Sequence, residues 1–397
     1  MLRDDFVKLL SPEGQALLGD LVIDSKLDVV KTISRLRAKG HDAGLVAAAL
    51  SQAKLRSRAI SKFGEFASKM FFTEDGLEQA SRLQVSAIHA GRFRDAGIKQ
   101  VADLGCGIGS ESLAMAAIDI NVVAVELDEV TAACASYNLA PFENAEVVNA
   151  DVTTLDLSKY EAQFFDPARR ELGTGREKAT RKFDPSSFSP NFDWVVEQAN
   201  LRPTGIKVGP GHPHEAIPEG VEAQWVSVNG DLVELTLWFG KLARSNVARS
   251  ALLLKDGERF EINSSETSHE SAPLRELGEF VYEPDNAVVR SHLISTLAAE
   301  HELGIFAPEI AYLTGDREVA SPWLRGFKVL ETMVFDRKKL KAKLHELGIG
   351  VLEIKKRGSD VVPEVLRKEL QLKGERAATL IITRVGDSHR ALLCEAI

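Results

Sequence analysis

The heptapeptide DLGCGIG, residues 103–109, follows a short apolar run and precedes a stretch of helical character. A strand that leads into a glycine-rich turn and then a helix lets the backbone approach a ligand closely. It also directs the free N–H groups of the helix towards that ligand. The dinucleotide-binding pattern GxGxxG is not met, because the sixth position counted from Gly105 is Ser110. The turn therefore indicates a nucleotide-like cofactor without naming it.

From residue 101 onwards, short apolar segments alternate with helical stretches. The four segments lie at residues 101–104, 121–125, 145–148 and 162–165. This alternation predicts a parallel sheet with helices on both faces. Further on, Asn229-Gly230 separates the apolar segments 225–228 and 232–239, which predicts a hairpin because both turn residues tolerate positive φ. The sequence thus predicts an α/β fold whose parallel sheet ends in an antiparallel hairpin.

Acidic residues mark the ends of these predicted strands. Asp103 stands two residues before the first glycine of the turn. Glu126 closes the second strand, where a carboxylate can accept hydrogen bonds from both ribose hydroxyls of a nucleotide, and this feature alone suits NAD as well as other cofactors. Asp151 follows the third strand and Asp166 the fourth. Four such signals at successive strand ends are far more specific than the glycine turn alone.

With these signals, residues 71–239 resemble the class I S-adenosylmethionine (SAM) dependent methyltransferases, and residues 103–109 look like their first motif. The resemblance implies a Rossmann-like methyltransferase sheet and SAM as the cofactor. It places the acid of the turn near the amino-acid end of SAM, the glycines against its methionine part, and the later residues at its ribose and adenine. The implied cofactor-binding residues in this region are Asp103, Gly105, Gly107, Gly109, Glu126, Leu127, Asp151 and Val152.

Upstream of the turn, an aromatic pair precedes a predicted helix start at Phe71-Phe72-Thr73-Glu74-Asp75. Thr73 can cap this helix, and the two acids favour its N-terminus. One interpretation is an ordinary capped helix whose Phe residues fill the core. The segment is also similar to an aromatic-Ser/Thr element of trimethylguanosine synthase and related RNA methyltransferases that closes over SAM. That resemblance adds Phe72 and Thr73 to the predicted cofactor site.

The segment Asp166-Pro167-Ala168-Arg169 looks like the fourth motif of amino-directed methyltransferases. In those enzymes the acid or amide holds the acceptor amine, and methyl transfer depends on aligning the nitrogen lone pair with the methyl carbon. The predicted catalytic residues are therefore Asp166, Pro167 and Arg169. This sequence departs from the motif, because Ala168 replaces a proline and Arg169 replaces an aromatic residue that stacks on a base. Arg169 can stack through its guanidinium plane, clamp a phosphate or form a structural ion pair.

The C-terminal part resembles the THUMP-like domain of a bacterial group of predicted methyltransferases, on the segments 283–290, 310–314 and 354–358. Segments 52–56 and 62–64 also look like that group. The resemblance implies an RNA-docking module. Although the whole chain carries a formal charge of −9, residues from 325 onwards hold 16 basic and 10 acidic side chains, a balance of +6. The basic cluster of residues 337–343 and the arginine-rich loop of residues 169–182 are either RNA contacts or solvated surface.

Four parts are predicted: a helical N-terminal domain (1–68), a SAM-binding domain (69–245), a hairpin with linker (246–273) and a THUMP-like domain (274–397). Ser11-Pro12-Glu13 predicts a helix start in the first part. In the third part, Asp256-Gly257 predicts a second hairpin, followed by a polar linker at 263–271. A single helix is predicted over 287–300 in the last part.

Other function classes receive little support from the sequence. Three scattered cysteines and the weak histidine pair of the loop 209–214 predict neither a disulfide framework nor a metal site. The apolar runs are too short for a membrane span, so we expect a cytoplasmic protein without a membrane partner. The favoured function is a methyltransferase acting on a base amine in RNA. The alternatives are a small-molecule or protein methyltransferase and a SAM-binding protein without catalysis.

Overall fold

The computed structural model describes residues 2–21, 29–169, 184–267 and 271–397. Within these residues the chain forms two compact units. The first takes Met1–Val208, Pro213–Val221 and Leu237–Ala243; the second takes Gly209–His212, Glu222–Thr236 and Arg244–Ile397. The bounds of these two units differ from those of the four parts expected from the sequence. The division into four parts remains a prediction.

Thirteen α-helices occur in the described ranges, and a 3₁₀ turn over Gly64–Lys69 follows the fourth. They are α1 (Arg3–Leu10), α2 (Pro12–Asp20), α3 (Val29–Ala38), α4 (Ala43–Phe63), α5 (Glu74–Gln79), α6 (Leu83–Asp95), α7 (Ser110–Ala116), α8 (Glu129–Leu139), α9 (Phe192–Ala199), α10 (Asn286–Arg290), α11 (Ile294–Glu300), α12 (Arg337–Glu346) and α13 (Pro363–Leu370).

The strands of the same ranges are β1 (Gln100–Leu104), β2 (Asn121–Glu126), β3 (Ala145–Asn149), β4 (Ala162–Phe165), β5 (Ala168–Arg169), β6 (Phe188–Ser189), β7 (Thr204–Val208), β8 (Glu222–Val228), β9 (Asp231–Phe239), β10 (Arg249–Lys255), β11 (Glu258–Ser264), β12 (Phe280–Pro284), β13 (Gly304–Ile305), β14 (Leu313–Gly315), β15 (Leu324–Val334), β16 (Ile349–Lys356), β17 (Arg376–Val385) and β18 (Ser388–Ala396).

The chain opens with four helices, as the sequence predicts for this region. Ser11 caps α2 by accepting a hydrogen bond from the backbone N–H of Gly14, and Pro12 occupies the first helical position. The buried apolar faces of these helices share one core with Phe71 and Phe72. The helical region therefore packs directly against the segment that precedes the glycine turn.

A parallel sheet forms the centre of the first unit, in the order β7-β4-β1-β2-β3. Its four predicted strands are confirmed, and each begins and ends within one residue of the prediction. Because the strands are parallel and in register, their carboxyl ends meet at one edge of the sheet. The residues that follow those ends are the acids singled out from the sequence.

Both predicted hairpins are present. Asn229 and Gly230 have φ values of 51° and 88° and join β8 to its neighbour β9. Asp256 and Gly257 have φ values of 52° and 82° and join the antiparallel strands β10 and β11. Strand β11 extends through Ser264, so the predicted linker begins later than expected, and residues 268–270 of it lie outside the described residues.

The C-terminal part of the second unit contains a mixed sheet of order β13-β14-β12-β15-β18-β17-β16. Helices α12 and α13 contribute their buried leucines to the core on one of its faces. The predicted single helix over 287–300 is wrong: the chain forms α10 and α11, separated by a break in which His292 adopts a φ of 64°. The fold class predicted from the sequence is confirmed.

Candidate active site

The glycine turn lies between β1 and α7 and uses left-handed backbone at all three glycines. Gly105, Gly107 and Gly109 have φ values of 86°, 56° and 87°, which favour a residue without Cβ. A Cβ on Gly105 would also lie 2.9 Å from the carbonyl oxygen of Asp166, whereas a Cβ on Gly107 would meet no atom within 4 Å. The turn therefore packs closely against the end of β4 and is open at its middle glycine.

Asp103 is a fully buried carboxylic acid at the end of β1. Its Oδ2 accepts a hydrogen bond from Ser112 Oγ at 2.5 Å, while Oδ1 has no hydrogen-bond partner among the described residues. Burial raises the pKa of Asp103 to about 7, although the bond from Ser112 opposes the rise. A buried oxygen of this kind is costly to leave unsatisfied, so the site suits a ligand group that donates hydrogen bonds or carries positive charge.

A second buried acid, Glu111, stands in the first turn of α7 and was not identified from the sequence. It accepts a hydrogen bond from Ser86 Oγ at 3.0 Å and lies 3.1 Å from Nδ1 of the buried His89. Its charge contributes to the raised pKa of Asp103. The only signal in the sequence is an acid that follows the glycine turn, and helix N-termini carry such acids for general reasons.

Glu126 ends β2 beside the glycine turn. Its two carboxylate oxygens accept hydrogen bonds from the backbone N–H groups of Gly107, at 3.0 Å, and Asp128, at 2.9 Å. Burial raises the pKa of Glu126, and these hydrogen bonds counteract the rise. The next residue, Leu127, is 61% exposed.

Asp151 and Val152 follow β3 at the same edge. Asp151 caps a short 3₁₀ turn by accepting a hydrogen bond from the N–H of Thr153, and Val152 is buried. Asn149 links this loop to the preceding strand end, because its Nδ2 donates to the carbonyl oxygens of Glu126 and Leu127. The predicted residues after β2 and β3 are therefore brought together.

The segment of residues 70–73 before α5 is fixed by side chains from two helices. Gln52 on α4 exchanges two hydrogen bonds of 2.9 Å with the backbone of Phe72. Asn138 on α8 binds the backbone of Phe71 in the same reciprocal way and also donates to the carbonyl oxygen of Ile108. Thr73 caps α5 as predicted. These contacts hold the segment as a fixed wall against the glycine turn.

Asp166 follows β4, and its carboxylate is paired with a lysine that the sequence reasoning missed. Lys207 on β7 places Nζ 2.5 Å from Asp166 Oδ2. Pro167 is buried next to Asp166. Arg169 belongs to β5, but its side chain and the loop residues 170–183 lie outside the described residues. The signal for Lys207 was a single cation in a strand that is otherwise apolar or small.

Backbone carbonyls of the loop 209–214 accept hydrogen bonds from an arginine. In the second unit, Arg290 donates hydrogen bonds to the carbonyl oxygens of Pro210 and His212, and His212 is buried. Among the described residues, no group of three or more His, Cys, Asp or Glu is arranged to hold a metal ion. No helix in the same residues combines the length and hydrophobicity that crossing a bilayer requires.

Known proteins with similar sequences identify the cofactor. The chain is 34% identical over 342 residues to uncharacterised S-adenosylmethionine-dependent methyltransferases from two strains of Mycobacterium tuberculosis. The alignment covers 84% of this chain and 91% of theirs. The chain belongs to the S-adenosylmethionine-dependent methyltransferases. It therefore uses SAM as its methyl donor.

Further similarities concern the fold and the two ends of this methyltransferase. A crystal structure of a candidate methyltransferase from Porphyromonas gingivalis W83 is similar at a TM-score of 0.70 and 19% identity, covering 94% of this chain and 99% of that one. Residues 324–396 match a family described as THUMP domain-like, which confirms the predicted C-terminal domain type. Residues 3–59 match a domain of unknown function (DUF8688).

Proposed function

We propose that this methyltransferase acts on a base amine in RNA. The observation that carries the proposal is Asp166, a carboxylate at the strand end next to the glycine turn, held by the buried ammonium group of Lys207. An ionised carboxylate only accepts hydrogen bonds. An amine is the methyl acceptor that suits such a carboxylate best. Its N–H groups can donate hydrogen bonds to the carboxylate while its lone pair faces the methyl group.

The residues around the glycine turn fit SAM. Asp103 Oδ1, buried and without a partner among the described residues, suits the ammonium group of the methionine part. Glu126 retains acceptor capacity for the ribose hydroxyls beyond its two backbone bonds. The exposed Leu127 and the buried Val152 offer apolar surface to an adenine ring, and Asp151 is an acceptor for its exocyclic amine.

The main task of the protein in this reaction is to align the acceptor nitrogen with the methyl group. When bound, SAM supplies an electrophilic methyl group on a positively charged sulfur. Transfer to the acceptor nitrogen would replace the S–C bond with an N–C bond, and the nitrogen would release one proton. By accepting an N–H bond, Asp166 orients the acceptor, and positioning of this kind accounts for a large part of the rate in bimolecular transfers.

An RNA acceptor is supported by the THUMP domain-like match over residues 324–396 and by the exposed lysines of that region. Lys338 and Lys339 on α12 and Lys356 on β16 are exposed. Phosphate neutralisation by such side chains supplies much of the affinity of proteins for nucleic acids.

The proposal is tested by incubating the protein with tritiated SAM and separate pools of tRNA, rRNA, protein and metabolites. We expect label in an RNA pool, and we expect Asp166→Ala to abolish the transfer while SAM still binds. Label in the protein or metabolite pool alone would contradict the RNA assignment. Intact SAM binding with no labelled pool would point to a protein without catalysis.

A further inference from the structure

Lys207 is a buried lysine at the end of β7, only 8% exposed. Its ammonium group lies 2.5 Å from Asp166 Oδ2. It also donates to the carbonyl oxygen of Gln79, at 3.1 Å, and to Ser81 Oγ, at 3.2 Å. One side chain therefore ties the carboxylate after β4 to the chain that leaves α5. Lys is rarely buried unless it is paired, and the question is what the pairing of Lys207 with Asp166 does.

Anchoring α5 does not by itself explain Lys207, because a second lysine already does this. Lys62 on α4 donates to the carbonyl oxygens of Leu77, Glu78 and Ala80, at 2.7 to 2.8 Å. Burial and, to a smaller extent, the nearby positive charge of Lys207 lower the pKa of Lys62 to about 8. Two cations thus bind different groups at one helix end, and Lys207 in addition contacts the carboxylate of Asp166.

We propose that Lys207 is a positioning residue for methyl transfer, which holds the Asp166 carboxylate in one orientation towards the acceptor amine. The inference rests on the proposed role of Asp166. The ammonium group of Lys207 also donates to the carbonyl of Gln79 and the hydroxyl of Ser81, and these bonds restrict the movement of the ammonium group. A carboxylate so placed is an acceptor for N–H bonds, and it orients the amine without having to take its proton.

The first test compares Lys207→Met with Lys62→Met in the full chain, using the pool that the wild type labels. At saturating SAM and acceptor, we expect Lys207→Met to lower kcat by roughly 10- to 100-fold, because a displaced orienting group misaligns the reaction. Lys207→Arg is expected to recover part of the loss. Lys62→Met, which loosens the same end of α5, should act mainly on SAM affinity. Equal losses of kcat in the two Met variants would overturn the proposal.

The second test places both lysine changes in an Asp166→Asn background. If Lys207 acts through Asp166, then Lys207→Met changes the remaining rate by no more than about threefold there, because coupled residues are not additive. The effect of Lys62→Met should persist unchanged. SAM calorimetry and thermal melting of each variant establish that it folds. An undiminished effect of Lys207→Met in the Asn background would contradict the inference.

A measurement without acceptor separates this inference from the proposed function. In the ¹⁵N-labelled wild type, we expect a slowly exchanging ¹⁵Nζ ammonium resonance for Lys207, assigned by its absence in Lys207→Arg. Asp166→Asn should shift or remove it, whereas Lys62→Met should not. An ammonium resonance that is unchanged in Asp166→Asn would overturn the Lys207 proposal, whichever molecule accepts the methyl group. Failure to label any RNA would overturn only the RNA assignment.

Discussion

Asp103 makes SAM binding depend on pH. Its pKa is raised to about 7, mainly by burial, so the acid is largely protonated below neutral pH. A cationic ligand group favours the ionised form, so binding should release the proton. We therefore expect SAM affinity to rise between pH 6 and pH 8 and to level off above, as measured by calorimetry in buffers of different ionisation enthalpy.

The matched variants for this prediction change one property of Asp103 each. Asp103→Asn removes the charge and should flatten the pH dependence while weakening binding at pH 8. Ser112→Ala removes a hydrogen bond that lowers the pKa, so the rise in affinity should move to higher pH. A wild-type affinity that stays constant from pH 6 to pH 8 would contradict the prediction.

The same acid affects stability in the absence of SAM. Because its pKa is higher in the folded chain than in the unfolded chain, the folded state keeps a proton that the unfolded state releases from pH 4 upwards. The contribution of Asp103 to the free energy of unfolding is therefore complete at low pH and is lost as the pH rises through about 7. Asp103→Asn should show a smaller loss of stability across that window in denaturant titrations.

The positions of the acids and glycines were predictable from the sequence, but their environments were not. Asp103 and Glu126 lie where strand periodicity predicts, at the ends of β1 and β2. Lys207 was missed because it comes from a distant strand, and Glu111 was missed because its buried partner Ser86 lies on α6. Local patterns identify the strand end but do not determine which side chains surround it.

At the scale of elements, the wall formed by residues 70–73 depends on α4. Gln52→Ala leaves the buried N–H and C=O of Phe72 without their partners. Such a loss costs about 1–3 kcal/mol per unsatisfied group. We expect a lower melting temperature and weaker SAM binding, because the wall packs against the glycine turn through Ile108. Both quantities are measurable by scanning calorimetry and titration.

A control for Gln52 is Asn144, whose amide also makes two hydrogen bonds to the backbone, both donated to carbonyl oxygens, those of Ala116 and Ile120, away from the wall. Asn144→Ala should lower the melting temperature and leave SAM affinity within about twofold of wild type. Equal weakening of SAM binding in the two variants would mean that Gln52 acts only through general stability.

Elements with strong local signals were predicted well, and one without such a signal was not. Asn229-Gly230 and Asp256-Gly257 define their hairpins because positive φ is required at both residues of each turn. The break between α10 and α11 carries no glycine or proline, so the helical pattern over 287–300 continues through it in the sequence. His292 adopts positive φ there, and no glycine or asparagine marks that position in the sequence.

At the scale of the whole chain, the last 73 residues carry a net positive charge, but not all of their basic side chains are available to bind RNA. Lys355 and Arg357 both face Glu283, and Arg337 is paired with Glu369. Neutralising Lys355 or Arg357 is therefore expected to destabilise the C-terminal sheet, because it leaves the partly buried Glu283 with fewer partners. The cations available to a phosphate backbone are fewer than the sequence suggests.

The test of RNA binding therefore uses exposed lysines and leaves the cations that are paired with acids unchanged. The triple change of the exposed Lys338, Lys339 and Lys356 to Gln should weaken RNA binding and lower the slope of log affinity against log salt by about 2 to 3, if each lysine neutralises one phosphate. The matched control neutralises three exposed lysines of the N-terminal region, Lys39, Lys54 and Lys69, and should leave the slope unchanged. If both triple variants lower the slope of log affinity against log salt equally, the effect of charge is diffuse. That result would contradict the C-terminal domain as the RNA-docking module.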